Sequence, residues 1–204
     1  DSLVLEVNTS SITQTENNTV NLAIGDSYQG GVIFYLDGSG GGLVVSPTNL
    51  QALPSSPGDC QGPYATKIFG LTNANSDGIG AGALNTAIIT ASFGNSGQPY
   101  AALSCNEYSI LENGIIYDDW YLPSKYELSL LWTNLVDSDG DGTRTQTDLD
   151  YILSNNNNFE ALYYPPLPYI SSTEHSDTSF WYRGFHSGGS FGTGYCDAGV
   201  VRPV

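Results

Sequence analysis

Asp118-Asp119-Trp120-Tyr121-Leu122-Pro123-Ser124-Lys125-Tyr126-Glu127-Leu128 is the stretch on which the fold turns. Pro123 ends whatever precedes it, and Ser124 followed three residues later by Glu127 is a capping box, in which each side chain satisfies a backbone N–H of the other's turn. A helix is therefore predicted from Ser124. Leu128, Leu131, Trp132 and Leu135 follow at i, i+3, i+4 and i+7 and give that helix one apolar face. Asp118 and Asp119 raise the question of a glycosidase pair, which needs two acids flanking one bond. Adjacent residues of an extended segment point to opposite sides, so an Asp-Trp element leading into the helix is the expectation instead.

The predicted helix runs into Asp137-Ser-Asp139-Gly-Asp141-Gly142-Thr143-Arg-Thr145-Gln-Thr-Asp148. Asp137, Asp139, Asp141 and Asp148 fall at positions 1, 3, 5 and 12 of a calcium loop, with Gly142 at position 6, the carbonyl of Thr143 at 7 and Thr145 at 9. Hard cations take several oxygens from one sharply turning loop, and this spacing supplies them. Aspartate in place of glutamate at position 12 departs from the EF-hand pattern and resembles the loops of extracellular modules such as dockerins. The predicted cofactor is Ca²⁺, held for structure. A short helix is expected after Asp148, using Leu149, Ile152 and Leu153, and the Asn155 to Asn158 run ends it. Tyr169-Ile-Ser-Ser-Thr173, Ser179-Phe-Trp-Tyr-Arg-Gly-Phe185 and Gly199-Val-Val-Arg-Pro-Val204 read as closing strands.

Toward the N-terminus, residues 1–24 alternate apolar and polar positions across a Ser/Thr/Asn-rich middle and read as an extended neck. The chain reads as a mature or truncated form, with no basic segment and apolar run at its start. Gly30 to Leu36 and Gly42 to Pro47 predict a β-hairpin. Its glycine-rich loop is not a phosphate loop, since no Lys follows and no helix opens from it. Residues 48–80 predict a long surface loop. Leu84, Ala87, Ile88 and Ala91 keep helical spacing, as do Ala101, Cys105, Tyr108 and, in part, Glu112. Cys105 is expected in the core as a small hydrophobe.

Five Lys and Arg residues against 21 acids give a net charge of -16 over 204 residues. Such a chain lacks the basic footprint that phosphate backbones require, so nucleic acid is excluded as a partner. No apolar run reaches the ~20 residues of a membrane-spanning helix, so no membrane insertion is expected. No methionine, 14 tyrosines and 24 glycines fit a secreted or cell-surface protein. Cys60, Cys105 and Cys196 allow one disulfide at most, and spacing does not choose the pair.

In order along the chain, Gly25-Asp-Ser-Tyr-Gln-Gly-Gly-Val-Ile-Phe-Tyr-Leu-Asp37, Gly42-Leu-Val-Val-Ser-Pro47, Asn85-Thr86, Ala101 to Cys105, Asp119 to Leu128, Ile170-Ser-Ser-Thr-Glu174 and Val201-Arg202 resemble the C-terminal domain family of the Legionella collagen-like protein. The resemblance covers about 25–204 and implies an α+β chain of C-type-lectin-like fold, with two main helices, small twisted antiparallel sheets and long loops. It also implies display at the tip of a stalk, as a homotrimer through the 1–24 neck. The segment 137–168 departs from the family and reads as a calcium-loop insertion. Lectins that ligate sugar on calcium use Glu-Pro-Asn or Gln-Pro-Asp, which Gln98-Pro-Tyr100 does not match.

No G-x-S-x-G, C-x-x-C or H-E-x-x-H pattern is present, and the expectation is a protein that is not an enzyme. His175, beside Glu174 and Asp177 in an expected polar turn, and His186 lack metal-ligand spacing. Aromatic residues alternating with Gly and Ser between Phe180 and Tyr195 suit a recognition surface. Tyr182, His186 and Tyr195 are its candidate contacts; Arg183 and Arg202 are expected to bridge buried acids. The predicted function is adhesion through a glycan or surface protein in an extracellular setting. The alternative is a structural trimeric cap of a surface filament.

Overall fold

In the computed structural model, which describes residues 22–50, 72–94, 100–137, 140–141, 168–176, 179–185, 188–194 and 199–204, Ser124 caps a helix as its sequence requires. Ser124 Oγ accepts from the Glu127 N–H (3.2 Å), and Glu127 Oε2 accepts from the Ser124 N–H (2.7 Å). Counting helices along the chain, this is α3, Lys125–Leu135. Its predicted stripe of Leu128, Leu131, Trp132 and Leu135 is buried throughout and packs on Val32, Phe34, Val45 and Phe185.

The predicted hairpin forms from β2 (Gly31–Leu36) and β3 (Gly42–Val45), antiparallel, with the two-residue β1 (Ser27–Tyr28) on the far edge of β2. Val32, Ile33 and Phe34 are all buried, so β2 is covered on both faces, and α3 lies against it.

Helix α1 (Ala81–Phe93) forms where spacing predicted one, but rotated from the apolar stripe. Leu84, Ala87 and Ala91 are exposed and Ile88 is half-buried, while Gly82, Asn85, Thr86 and Ile89 face inward. The reason is that Asn85 and Thr86 find hydrogen-bond partners inside, and Gly82 allows the backbone of another segment to come close. A Cβ on Gly82 would sit 2.7 Å from the Leu122 carbonyl oxygen. The second predicted helix is shorter than its spacing suggested: α2 is Ala101–Asn106 and buries Cys105, whose thiol is free. Burial pushes that thiol's pKa well up, so it stays protonated. Glu112 belongs instead to β4 (Ile110–Glu112), which pairs with β5 (Ile115–Tyr117). Their turn places Asn113 at φ 51° and Gly114 at φ 82°, the left-handed pair that tight hairpins demand.

The last sheet runs β6 (Tyr169–Ser176), β7 (Ser179–Arg183), β8 (Ser190–Gly194), all antiparallel neighbours. β6 is buried from Tyr169 to Glu174. Tyr169 joins the core under α3, while Ile170 joins a second core with Ile89, Cys105, Leu122 and Phe180, and both α1 and α3 contact β6. Residues 199–204 are not a regular strand as expected; they make single bridges, Leu50 with Val201 and Tyr169 with Val200, yet are buried from Val200 to Val204.

The described residues thus form an α+β arrangement of three helices and three small antiparallel sheets. Within the 48–80 loop, the described residues 72–80 do not all wrap the surface, since Ala74 is fully buried and its carbonyl accepts from the Glu174 N–H of β6. Most of the 1–24 neck, the helix predicted after Asp148, most of the 137–168 insertion, Cys60 and Cys196 lie outside the described residues. No described helix is long and apolar enough to cross a membrane.

Candidate functional site

The polar residues of the motifs turn inward. Glu127 is fully buried; its Oε1 accepts from the Gly80 N–H (2.8 Å) and the Tyr121 hydroxyl (3.0 Å), and its Oε2 from Ser124 N–H. Burial, reinforced by the Glu127 charge, pushes the Tyr121 phenol well above its ordinary range, which keeps it a donor. Glu174 does the same job one sheet away, accepting from the N–H and hydroxyl of Thr72 and from Asn73 N–H (3.1 Å). Asn85 exchanges two bonds with the Ser76 backbone and donates to Ser172 Oγ, while Thr173 Oγ1 accepts from Lys125 N–H. Carboxylates saturated by backbone donors are structural acceptors with little capacity left for substrate. Asp118 and Asp119 are exposed and follow β5 without being part of a strand.

Of the loop read as a calcium site, Asp137, Gly140 and Asp141 are described, whereas Asp139, Thr143, Thr145 and Asp148 are not. Asp137 N–H continues the end of α3 by donating to Trp132 O (2.9 Å), and its own carbonyl accepts from Gly140 N–H (3.3 Å). Gly140 takes φ 73°, so the chain turns sharply there. Asp137 is buried while Asp141 is exposed. Among the described residues no three His, Cys, Asp or Glu side chains converge. A buried carboxylate followed by a glycine turn fits the donor chemistry of a hard cation.

Arg183 is half-buried and feels the charge of the buried Asp137. Its guanidinium lies 4.9 Å from the Trp132 ring centroid and donates to Ser129 Oγ (2.8 Å) and Ser190 Oγ (3.1 Å). Burial pulls its pKa down and the Asp137 charge holds it up. Arg202 is fully buried and donates to the Ser46 carbonyl (2.7 Å) and Asn49 Oδ1 (2.8 Å).

Strand alternation sorts the aromatic segment. Phe180 is core, and Tyr182 is half-buried against the same cluster with Phe191 beside it (centroids 5.7 Å), Phe191 itself being half-exposed. Trp181 points the other way. Its ring lies under Lys125 Nζ (4.7 Å) and meets the His175 ring edge-on (4.5 Å), and Lys125 also pairs with Asp77 (3.2 Å). His175 is in β6 rather than in a turn, and its ring lies so close to β8 that a Cβ on Gly192 would sit 2.8 Å from Nδ1. His175 Nδ1 contacts Ser179 Oγ (3.0 Å). His186 and Tyr195 lie outside the described residues. Sequence reasoning chose Tyr182 from an aromatic stretch that includes Trp181 and weighed His175 only as a metal or acid/base residue, without joining either to Lys125; the alternation of β7, with Phe180 inward, is the signal that singles out Trp181.

The surface around Trp181 therefore offers an indole, an ammonium, an imidazole and two serine hydroxyls, which suits binding by stacking and hydrogen bonding. No protein-family model matches this chain, and no curated protein sequence matches it either.

Proposed function

We propose that this chain is a non-catalytic, extracellular ligand-binding domain of C-type-lectin-like fold, acting in adhesion at the tip of a stalk. The supporting observation is a division of labour: Ser124, Glu127, Asn85 and Glu174 are used up inside the fold, while His175 and Phe191 are exposed and Trp181 and Lys125 half-buried at the surface. Support for the lectin-like resemblance comes from α1 and α3, two of the three helices, lying against small antiparallel sheets, with residues 199–204 returning beside the N-terminal sheet. The ligand is a glycan or a surface protein. The test is binding to immobilised glycan and protein panels with and without EDTA, using wild type and Trp181→Ala. Failure of the folded wild type on both panels sinks the reading.

Calcium, on this proposal, is held by Asp137, Asp139, Asp141, Thr143, Thr145 and Asp148 and pins the 137–168 insertion. Ligand that binds only the folded state raises its melting temperature. Millimolar Ca²⁺ should therefore raise Tm in wild type and not in Asp139→Ala; equal behaviour of the two removes the site.

A second reading, a structural trimeric cap, is favoured by the β4–β5 hairpin, where Leu111, Ile115 and Ile116 are 71%, 55% and 64% exposed. Sedimentation of the full chain decides: a monomer at micromolar concentration excludes the cap.

A further inference from the structure

A cleft of about 360 Å³ opens between the β1–β2 turn and the Asp119-Trp120-Tyr121 segment, apart from the Trp181 face. Small-ligand sites run from roughly 300 to 1,000 Å³, which places this one at the scale of one or two sugar rings. Tyr28, Gln29, Tyr117, Asp119, Trp120 and Tyr121 line it, with Gly40 to Gly42 as a rim free of side chains. We infer that this cleft binds a saccharide unit that is neutral or carries an amine.

The polar groups are unspent. Among the described residues, the Asp119 carboxylate, the Gln29 amide and the hydroxyls of Tyr28 and Tyr117 make no side-chain hydrogen bond, whereas the motif's other acid, Glu127, accepts three. Asp119 is thus the one acid of the signature segment left facing a cavity with its acceptors open. Sugar hydroxyls or an ammonium group would satisfy it, and the tyrosine rings supply rigid contact area at low entropic cost.

The walls are held in place before any ligand arrives. Gln29 (φ 50°) and Gly30 (φ 78°) form a left-handed turn, and Glu112 Oε2 accepts from the Gly30 N–H (2.9 Å), which docks the β4–β5 hairpin and with it Tyr117. Trp120 Nε1 donates to the Tyr117 carbonyl (3.0 Å), and the Trp120 ring meets Tyr108 edge-on (5.5 Å). Asp37 Oδ1 accepts from Ser39 N–H (2.7 Å) and Gly41 N–H (2.9 Å), which fixes the glycine rim. A site fixed in this way loses little freedom on binding.

Charge narrows the ligand. Among the described residues no Lys, Arg or His lines the cleft, Asp119 does, and the chain carries a net charge of -16. Uronic and sialic acids are repelled, and hydroxyl or amine donors are favoured. The inference rests on the receptor reading only for its ligand class, since the cleft shares no residue with the Trp181 face.

The test is NMR titration of the full chain with glucose, N-acetylglucosamine, glucosamine and glucuronic acid, following the Trp120 indole N–H. Saturable shifts are expected with at least one of the first three and none with glucuronic acid. Asp119→Asn and Tyr28→Ala each weaken binding tenfold or more, while Trp181→Ala leaves it within twofold; Gln29→Ala replaces either variant that fails to keep the wild-type spectrum. No saturable shift with any sugar, a response to glucuronic acid equal to glucose, or binding that survives both substitutions overturns the cleft. The adhesion reading would then still stand on Trp181-dependent capture by the glycan or protein panels.

Discussion

Glu127 serves as the third residue of a helix cap and as the junction of three chain segments, because its two oxygens take N–H donors from Gly80 and Ser124 and the hydroxyl of Tyr121. Replacing one oxygen by an NH₂ group sets donor against donor in a fully buried place. Leaving a buried donor unsatisfied costs about 1–3 kcal/mol, so Glu127→Gln should lower stability by that amount in urea unfolding, and a midpoint unchanged from wild type would contradict the role. The capping half of this assignment was legible, since Ser124 and Glu127 are three residues apart. The Gly80 contact was not, because nothing local in the sequence says which loop will meet a helix N-terminus 47 residues away.

At the scale of elements, α3 and α1 differ instructively. Every cue for α3 is local and agrees: Pro123, the cap, and an apolar stripe that does face the core. For α1 the apolar spacing marks the helix and misleads about its side, since the buried face is built on Gly82, Asn85, Thr86 and Ile89. Leu84 is 54% exposed and Asn85 is fully buried with its amide and carbonyl both engaged. Leu84→Ser should therefore change stability by no more than about 0.5 kcal/mol, whereas Asn85→Ala should cost about 1–3 kcal/mol by stranding the Ser76 backbone groups; thermal melts of the pair check the order. The β4–β5 hairpin was missed although Asn113-Gly114 is a strong turn signal, because Cys105 and Tyr108 had been read as one helix reaching Glu112. Of the candidate site, Tyr182 was legible as an aromatic on a strand, but Trp181 meeting Lys125 and Asp119 facing a cleft depend on tertiary placement.

Across the whole molecule the net charge of -16 acts as a diffuse repulsion that favours expansion. At about 0.1 M salt, charges more than ~10 Å apart are largely screened. Raising NaCl from 10 to 300 mM, which shortens the Debye length about five-fold, should raise Tm by screening alone, in wild type and Asp139→Ala alike. Calcium at the same ionic strength should add a further rise in wild type only, and a calcium response no larger than that of NaCl would reduce the ion to a general screening effect.

The last described residues are woven through the fold's first sheet. Ser46 N–H donates to the Pro203 carbonyl (2.9 Å), Leu50 N–H to the Val201 carbonyl (2.9 Å), Arg202 Nε to the Ser46 carbonyl (2.7 Å), and Tyr121 and Val204 exchange both backbone bonds (2.9 and 3.0 Å). Contacts this distant in sequence form only after the intervening chain has been gathered, and they slow folding. β2 and β3 therefore precede by about 150 residues the segment that locks them, so closing this sheet is a long-range event and not a local one.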